Sequence, residues 1–451
     1  MAKDLLIISE AIEKFLDERK YTTLRDVLKT MQAADIAALF EILPRRKLSL
    51  LFRLLPKEQA AEAFVEMDLD LQEHLIHGFS DNELKEIVDE LYLDDTVDMV
   101  EELPANVVKR ILAQANPETR QLINEMLQYP EDSAGSVMTT EYVDLSADMT
   151  VPDAIKHIKR TGVDKETINV CYVTSSDRKL IGEVPIRSLI LAEDKQTVGE
   201  IMQKNVISVT TQEDQEEVAQ TFAKYDCIAL PVVDSEGRLV GIVTVDDAID
   251  ILQSEATEDI DKMAAVTPSD RPYLKLSTFA IYKSRIPWLL ILMISATFTG
   301  SIITHYESAL SSYLVLTASI PMLMDTGGNC GSQASATIIR GISLQQIKFS
   351  DIFRVVWKET RVALLCGLTL AAVNFVKLIF LSKVTVTVAA VICLTLVFTV
   401  FVAKIVGCTL PILAKRVGGD PAVMASPFLT TIVDALSLVI YFEIAGVLLH
   451  I

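Results

Sequence analysis

Asp434 stands in the middle of DPAVMASPFLTTIVDALSLVIY (420 to 441), a stretch otherwise apolar enough to cross a membrane. An ionised carboxylate near the centre of a bilayer costs at least about 2.5 kcal/mol, so by default it faces water, a cation or a partner. Ser426, Thr430, Asp434, Ser437 and Tyr441 recur at steps of three or four, which gathers the polar groups of the helix on one face. Asp420 is placed to cap the helix and Pro421 to fill its first turn. Pro427, further in, cannot donate to the carbonyl of Val423, which leaves that oxygen for a cation or a water. The competing reading of the same stripe is glue between helices.

A second unusual stretch is PMLMDTGGNCGSQASATIIRG (321 to 341), where Asp325, Asn329, Gln333 and Thr337 step by four along one face. Gly327, Gly328 and Gly331, with Pro321, permit close backbone approach or a local break that exposes carbonyls. This face is expected to meet the stripe of Asp434; a tight packing seam is the alternative. Lys404, at a similar depth in another apolar segment, is expected to pair with Asp325 or to point to a lipid or subunit interface.

Elements long enough to position these groups are present. Five apolar segments, about 287 to 304, 311 to 339, 362 to 381, 384 to 413 and 421 to 449, can each span a bilayer. Lys283 and Arg285 precede the first. Arg340, Lys348, Arg354, Lys358 and Arg361 separate the second from the third, and Lys415 and Arg416 the fourth from the fifth. The positive-inside rule puts these regions in the cytosol, with the C-terminus outside a cell membrane.

From Ile281 onward there are twelve bases and seven acids, which leaves 54 acids and 29 bases, a net of −25, to the first 280 residues. Such a surface repels nucleic acid and concentrates cations. Six cysteines without a C-x-x-C pair read as buried thiols in a reducing setting, and an N-terminus with acids throughout reads as no signal peptide. Residues 1 to about 130 are short amphipathic segments punctuated by Leu-Pro, as in EILPRRK, RLLPKEQ and EELPANV, which predicts an all-α superhelical, solenoid-like stack.

Residues 136 to 253 contain themselves twice: VCYVTSSDRKLIGEVPIRSLI (170 to 190) aligns with ALPVVDSEGRLVGIVTVDDAI (229 to 249). This α/β pair resembles tandem cystathionine-β-synthase (CBS) domains, a module that commonly binds adenosine nucleotides or ions. The second repeat keeps that family's Gly, Thr and Asp as Gly241, Thr244 and Asp247, which makes Thr244 and Asp247 a candidate site for ATP or another adenosine nucleotide. The first has Pro185 and Ser188 there instead. Residues 246 to 261 then crowd Asp247, Asp250, Glu255, Glu258 and Asp259 into a connector, where a solvated acidic helix is the plain alternative.

Together these features resemble the MgtE family of magnesium channels and transporters, over essentially the whole chain: acidic helical domain (1 to 130), CBS pair (136 to 253), connecting "plug" helix (254 to 280) and an all-α polytopic membrane domain with five transmembrane helices (281 to 451). The motifs that carry it are GGN-x-G-x-Q (Gly327 to Gln333) and DPA…P…T…D in the last span. The resemblance implies a homodimer with a pore between subunits, Asp434 of each chain binding hydrated Mg²⁺, and Asp325, Gly327, Gly328, Asn329, Ser426 and Thr430 lining the path. It also implies regulatory Mg²⁺ sites at Asp94, Asp98, Asp214, Glu216, Asp226, Asp247, Asp250, Glu255, Glu258 and Asp259, with a weaker match at Glu62. Ser136 stands where the family has Gly. The expected function is Mg²⁺ movement into the cytosol, closed by Mg²⁺ on the acidic domains, with lipid around the spans and no enzymatic role. A nucleotide-sensing membrane receptor with CBS domains is the alternative, and it leaves Asp434 and the glycine stretch unexplained. A membrane enzyme lacks a nucleophile–base pair.

Overall fold

The computed structural model describes residues 2 to 269, 271 to 306, 314 to 424 and 426 to 449. The chain divides into two compact units, residues 1 to 252 and 253 to 451.

The first unit opens with ten short helices between Ala2 and Met126. From the third helix on, packing is chiefly between second neighbours: Ala33–Ile42 on Lys57–Val65, that helix on Asp81–Val88, and that on Ala105–Gln114. A stack of this kind lets helices too short to be stable alone bury their apolar faces on one another. The Leu-Pro punctuation acts at the start of a helix as well as at the end of one. Pro44, Pro56 and Pro104 sit at the N-cap of the following helix, and Leu43, Leu55 and Leu103 beside them are buried.

The repeat that follows folds twice in one pattern. In the first copy β1 (Asp144–Ser146) pairs parallel with β2 (Val170–Thr174), which pairs antiparallel with β3 (Leu180–Pro185). The second copy repeats this with β4 (Val209–Thr210), β5 (Ala229–Val233) and β6 (Leu239–Thr244), including the irregularity near the end of the middle strand. The copies interlock: Thr139, ahead of the first, bridges to Ile242 in the second, and Gln203, ahead of the second, bridges to Glu183 in the first. Gly182 and Gly241 let this happen. A Cβ at either would lie 2.6 Å from a methionine sulfur, Met202 or Met138 respectively. The core of the second copy, with Val218, Phe222, Leu230, Val232 and Ile251, is continuous with the core of the helical stack, while the first copy keeps a core of its own.

The connector helix runs Val245–Met263, directly from the end of β6. It therefore starts and stops earlier than a 254 to 280 segment. Five long helices follow: Thr278–His305, Leu314–Ser343, Ile352–Phe380, Val386–Arg416 and Ser426–Leu449. Among the described residues, the first and the last three are long and apolar enough to cross a membrane. Leu314–Ser343 has the length, about 45 Å at the helical rise, but its line of polar residues dilutes its apolarity. The third helix begins about ten residues before its apolar run, so Arg354, Lys358 and Arg361 lie on the helix rather than in a loop.

Candidate functional site: a polar membrane seam and a buried acidic cluster

Leu314–Ser343 is continuous through its glycines, so their role here is close approach and not a break in the helix. A Cβ on Gly328 would sit 2.9 Å from Thr430 Cγ2, and one on Gly327 would sit 3.0 Å from Val433 and 3.3 Å from the Ser437 hydroxyl. On the other side a Cβ on Gly407 would collide with the backbone oxygen of Gly331. The glycines thus press this helix against both Ser426–Leu449 and Val386–Arg416. Asp325, Asn329, Gln333 and Thr337 remain exposed on the uncovered face, beside half-buried Thr430 and Asp434. Asp325 is the charged group whose field acts on Asp434. The tight seam and the polar face, weighed as alternatives in the sequence, coexist.

Four expectations for this region change. Lys404 is buried and lies 3.5 Å from Glu359 Oε2, so its partner is neither Asp325 nor lipid. The early start of the third helix is what brings Glu359 within reach. The last helix starts at Ser426, which puts Pro427 in its first turn, where a missing N–H breaks no helical bond, and gives no reason to single out the Val423 carbonyl. Asp420 caps the short turn Ala422–Met424 instead, accepting from Ala422 N at 2.7 Å. The Ser426 side chain lies outside the described residues. Tyr441 leaves the polar role for a structural one: fully buried, its hydroxyl donates to Leu316 O at 3.0 Å.

In the first unit the helix Leu93–Glu102 turns Asp94, Asp95 and Asp98 toward the start of the connector helix. Asp247 acts electrostatically on all three. Asp94 is 9% exposed, and burial first, then Asp95 and Asp247, raise its pKa well above the usual carboxylate range. Burial and then Asp247 push Asp95 up to about 6 and Asp98 to about 7, although the Asp98 side chain is exposed and water screens it. Asp95 and two further acids that sequence reading passed over belong here. Glu141 is pushed to about 7 and Glu166 to about 8, both chiefly by burial. Asp95 is legible as the neighbour of Asp94, but Glu141 and Glu166 are isolated in the chain and are united by the Glu166 N–Glu141 O bond at 3.0 Å. Asp94 Oδ1, Glu141 Oε2 and Glu166 Oε2 are buried without a hydrogen-bond partner. Such oxygens call for protons or a cation. Among the described residues no three His, Cys, Asp or Glu converge closely enough to hold a metal ion directly.

Family models match the chain as MgtE intracellular N domain over residues 31 to 132, CBS domain over 134 to 195 and 198 to 254, and MgtE, a divalent cation transporter, over 320 to 444. The chain is 38% identical over 447 residues to magnesium transporter MgtE of Thermus thermophilus, covering 98% of this chain and 99% of that one. It belongs to the MgtE family. The Bacillus subtilis MgtE magnesium transporter is 31% identical over 451 residues, covering 100% of this chain and 99% of that one. The crystal structure of the cytosolic domain of the Mg²⁺ channel MgtE in complex with ATP matches with a TM-score of 0.51 at 38% identity, over 54% of this chain and 99% of that one. The soluble part of a magnesium transporter matches with a TM-score of 0.52 at 29% identity, over 56% of this chain and 99% of that one.

The other positions implied by the MgtE resemblance scatter. Glu62 is exposed on Lys57–Val65, near enough to act on Tyr92. Asp214 caps the helix Gln215–Tyr225 through Glu216 N, Glu216 accepts from Gln220, and Asp226 closes the same helix in a left-handed conformation (φ 54°). Asp214 and Asp226 are thus about 18 Å apart along one helix and cannot share an ion within one chain. Asp250 is exposed and Glu255 half-buried. Ser136 is buried, with its hydroxyl bonded to the Ser133 backbone. Thr244 Oγ1 donates to Asp247 Oδ2 at 2.5 Å, which starts the connector helix and puts one carboxylate in both the Thr244–Asp247 pair and the acidic cluster.

Proposed function

We propose that this chain is a multi-pass magnesium transporter that admits Mg²⁺ to the cytosol along the face bearing Asp325, Asn329, Thr430 and Asp434. The observation that carries this reading is the state of Asp434. It lies at mid-helix with another carboxylate as its charged neighbour, while the buried cation of this unit, Lys404, is held by Glu359. A carboxylate in that position is tolerated where a cation visits. The exposed polar edge of Leu314–Ser343 supports a second copy of the chain completing the path. Basic residues flanking the helices support a cytosolic N-terminus and an outer C-terminus. Relatives of the whole chain are magnesium transporters, and one cytosolic domain of the family was crystallised with ATP. Thr244 and Asp247 are the groups here that would hold an adenosine nucleotide, and the role is transport rather than catalysis.

Closure follows from charge. Carboxylates about 6 Å apart repel by roughly 1 to 3 kcal/mol at effective dielectrics between water and 20. Asp94, Asp95, Asp98 and Asp247 would hold Mg²⁺ in the arrangement where they crowd together, so cytosolic Mg²⁺ favours that arrangement and shuts the path. Asp434→Asn and Asp434→Ala, reconstituted in liposomes, are expected to lose Mg²⁺ uptake while remaining folded. Wild-type uptake by either would refute the assignment.

A further inference from the structure

The far end of the connector helix carries its own cation. Lys262 Nζ lies 2.6 Å from Glu258 Oε1 on the same helix and 2.7 Å from Asp420 Oδ2, at the approach to the last membrane helix. Asp259 Oδ2 accepts from the Ser343 hydroxyl at 2.9 Å, at the end of the glycine helix. Beneath these polar contacts Met263 packs against buried Ile339 and Ala422. The helix is stopped there by Ala265 in a left-handed conformation (φ 55°), with Val266 N bonded to Asp261 O and Thr267 N to Ser284 O. Glu258 and Asp259, implied as Mg²⁺ ligands, therefore already have partners supplied by the chain, and an ammonium stands where a divalent ion would be repelled. Their surroundings do not fit a metal site.

We propose that Lys262 is a built-in latch: it fastens the connector helix to Asp420 without metal, so that the membrane unit holds this end of the connector in place whether or not Mg²⁺ is present. Sensing is then left to the acids around Asp94 and Asp247. The effect of the latch on flux rests on the closure mechanism above; the fastening itself does not.

The test uses the full-length protein and two readouts. In Mg²⁺-free buffer, hydrogen exchange at the amides of Ala264, Ala265 and Val266 should speed up in Lys262→Gln and in Asp420→Asn. The charge-swapped pair Lys262→Glu with Asp420→Lys should return it toward the wild-type rate. In liposomes, Lys262→Gln should raise the cytosolic Mg²⁺ needed for half-closure by roughly two- to fivefold, the range of a partly exposed ion pair. Unchanged exchange in both single variants, or no recovery in the swap, would overturn the latch. A lower Mg²⁺ requirement in Lys262→Gln would also overturn it, because it would mean that the ammonium had been competing with a metal at this place. A wild-type protein that Mg²⁺ fails to close would defeat the closure mechanism, with the exchange result still deciding on the latch.

Discussion

The two ends of the connector helix carry the same residue types in opposite states. Around Asp247, at its start, the carboxylates of Asp94, Asp95, Asp98, Glu141 and Glu166 crowd one another, and three of their oxygens are buried without a partner. Around Lys262, at its end, Glu258, Asp259 and Asp420 are matched by an ammonium and a hydroxyl. An acidic count made along the sequence treats the two ends alike. The difference lies in what each carboxylate faces: the unsatisfied end can respond to a cation, while the satisfied end has little to gain from one.

The largest effect should come from removing the response itself. Replacing Asp94, Asp98 and Asp247 together with Asn should raise the cytosolic Mg²⁺ that half-closes the transporter by on the order of tenfold or more, the scale of a coupling of a few kcal/mol. Glu258→Gln, at the other end, should shift it by no more than about threefold. Flux measured against cytosolic Mg²⁺ compares them, and equal shifts would erase the distinction.

A smaller effect is the pH dependence of stability. Folding raises the pKa of Asp95 to about 6, of Asp98 and Glu141 to about 7 and of Glu166 to about 8, so between pH 4 and 8 the folded chain binds more protons than the unfolded one. Its stability without Mg²⁺ should fall as pH rises through that window and level off above it. Denaturant unfolding of residues 1 to 252 at pH 5.5 and 8 would show this, and stability rising with pH would contradict it.

The smallest concerns nucleotide. Thr244→Ala should weaken adenosine nucleotide binding several-fold, the worth of about one ordinary hydrogen bond, and Ser188→Ala should leave it unchanged. Equilibrium titration at one site per chain checks this. Because Asp247 belongs to both the pair and the cluster, nucleotide should also alter the Mg²⁺ response.

What was legible in the sequence followed from short-range periodicity. The doubled repeat predicted two copies of one fold, and the alignment of 170 to 190 with 229 to 249 already set Gly182 and Gly241, where the copies cross, at equivalent places. The stripe of Asp434 and the steps of Asp325, Asn329, Gln333 and Thr337 were visible because helical spacing alone sets them. Partners distant in the chain were not visible. Lys404 with Glu359, Lys262 with Asp420, and Glu141 with Glu166 depend on how helices and loops pack. Pro427 was misplaced for a related reason: a helix start is set by local capping, here displaced by the separate turn at Ala422–Met424, and not by the apolar run.

The most direct test of the central claim counts protons. If the acids around Asp94 and Asp247 are the responsive end, Mg²⁺ must displace the protons that burial holds there, since a metal binds carboxylates in their ionised form. Calorimetric titration of the full-length protein with Mg²⁺ at pH 7, in two buffers of different ionisation enthalpy, should report net proton release that disappears in the Asp94, Asp98 and Asp247 triple variant. Mg²⁺ binding with no proton release, or release that survives in the triple variant, would contradict the account.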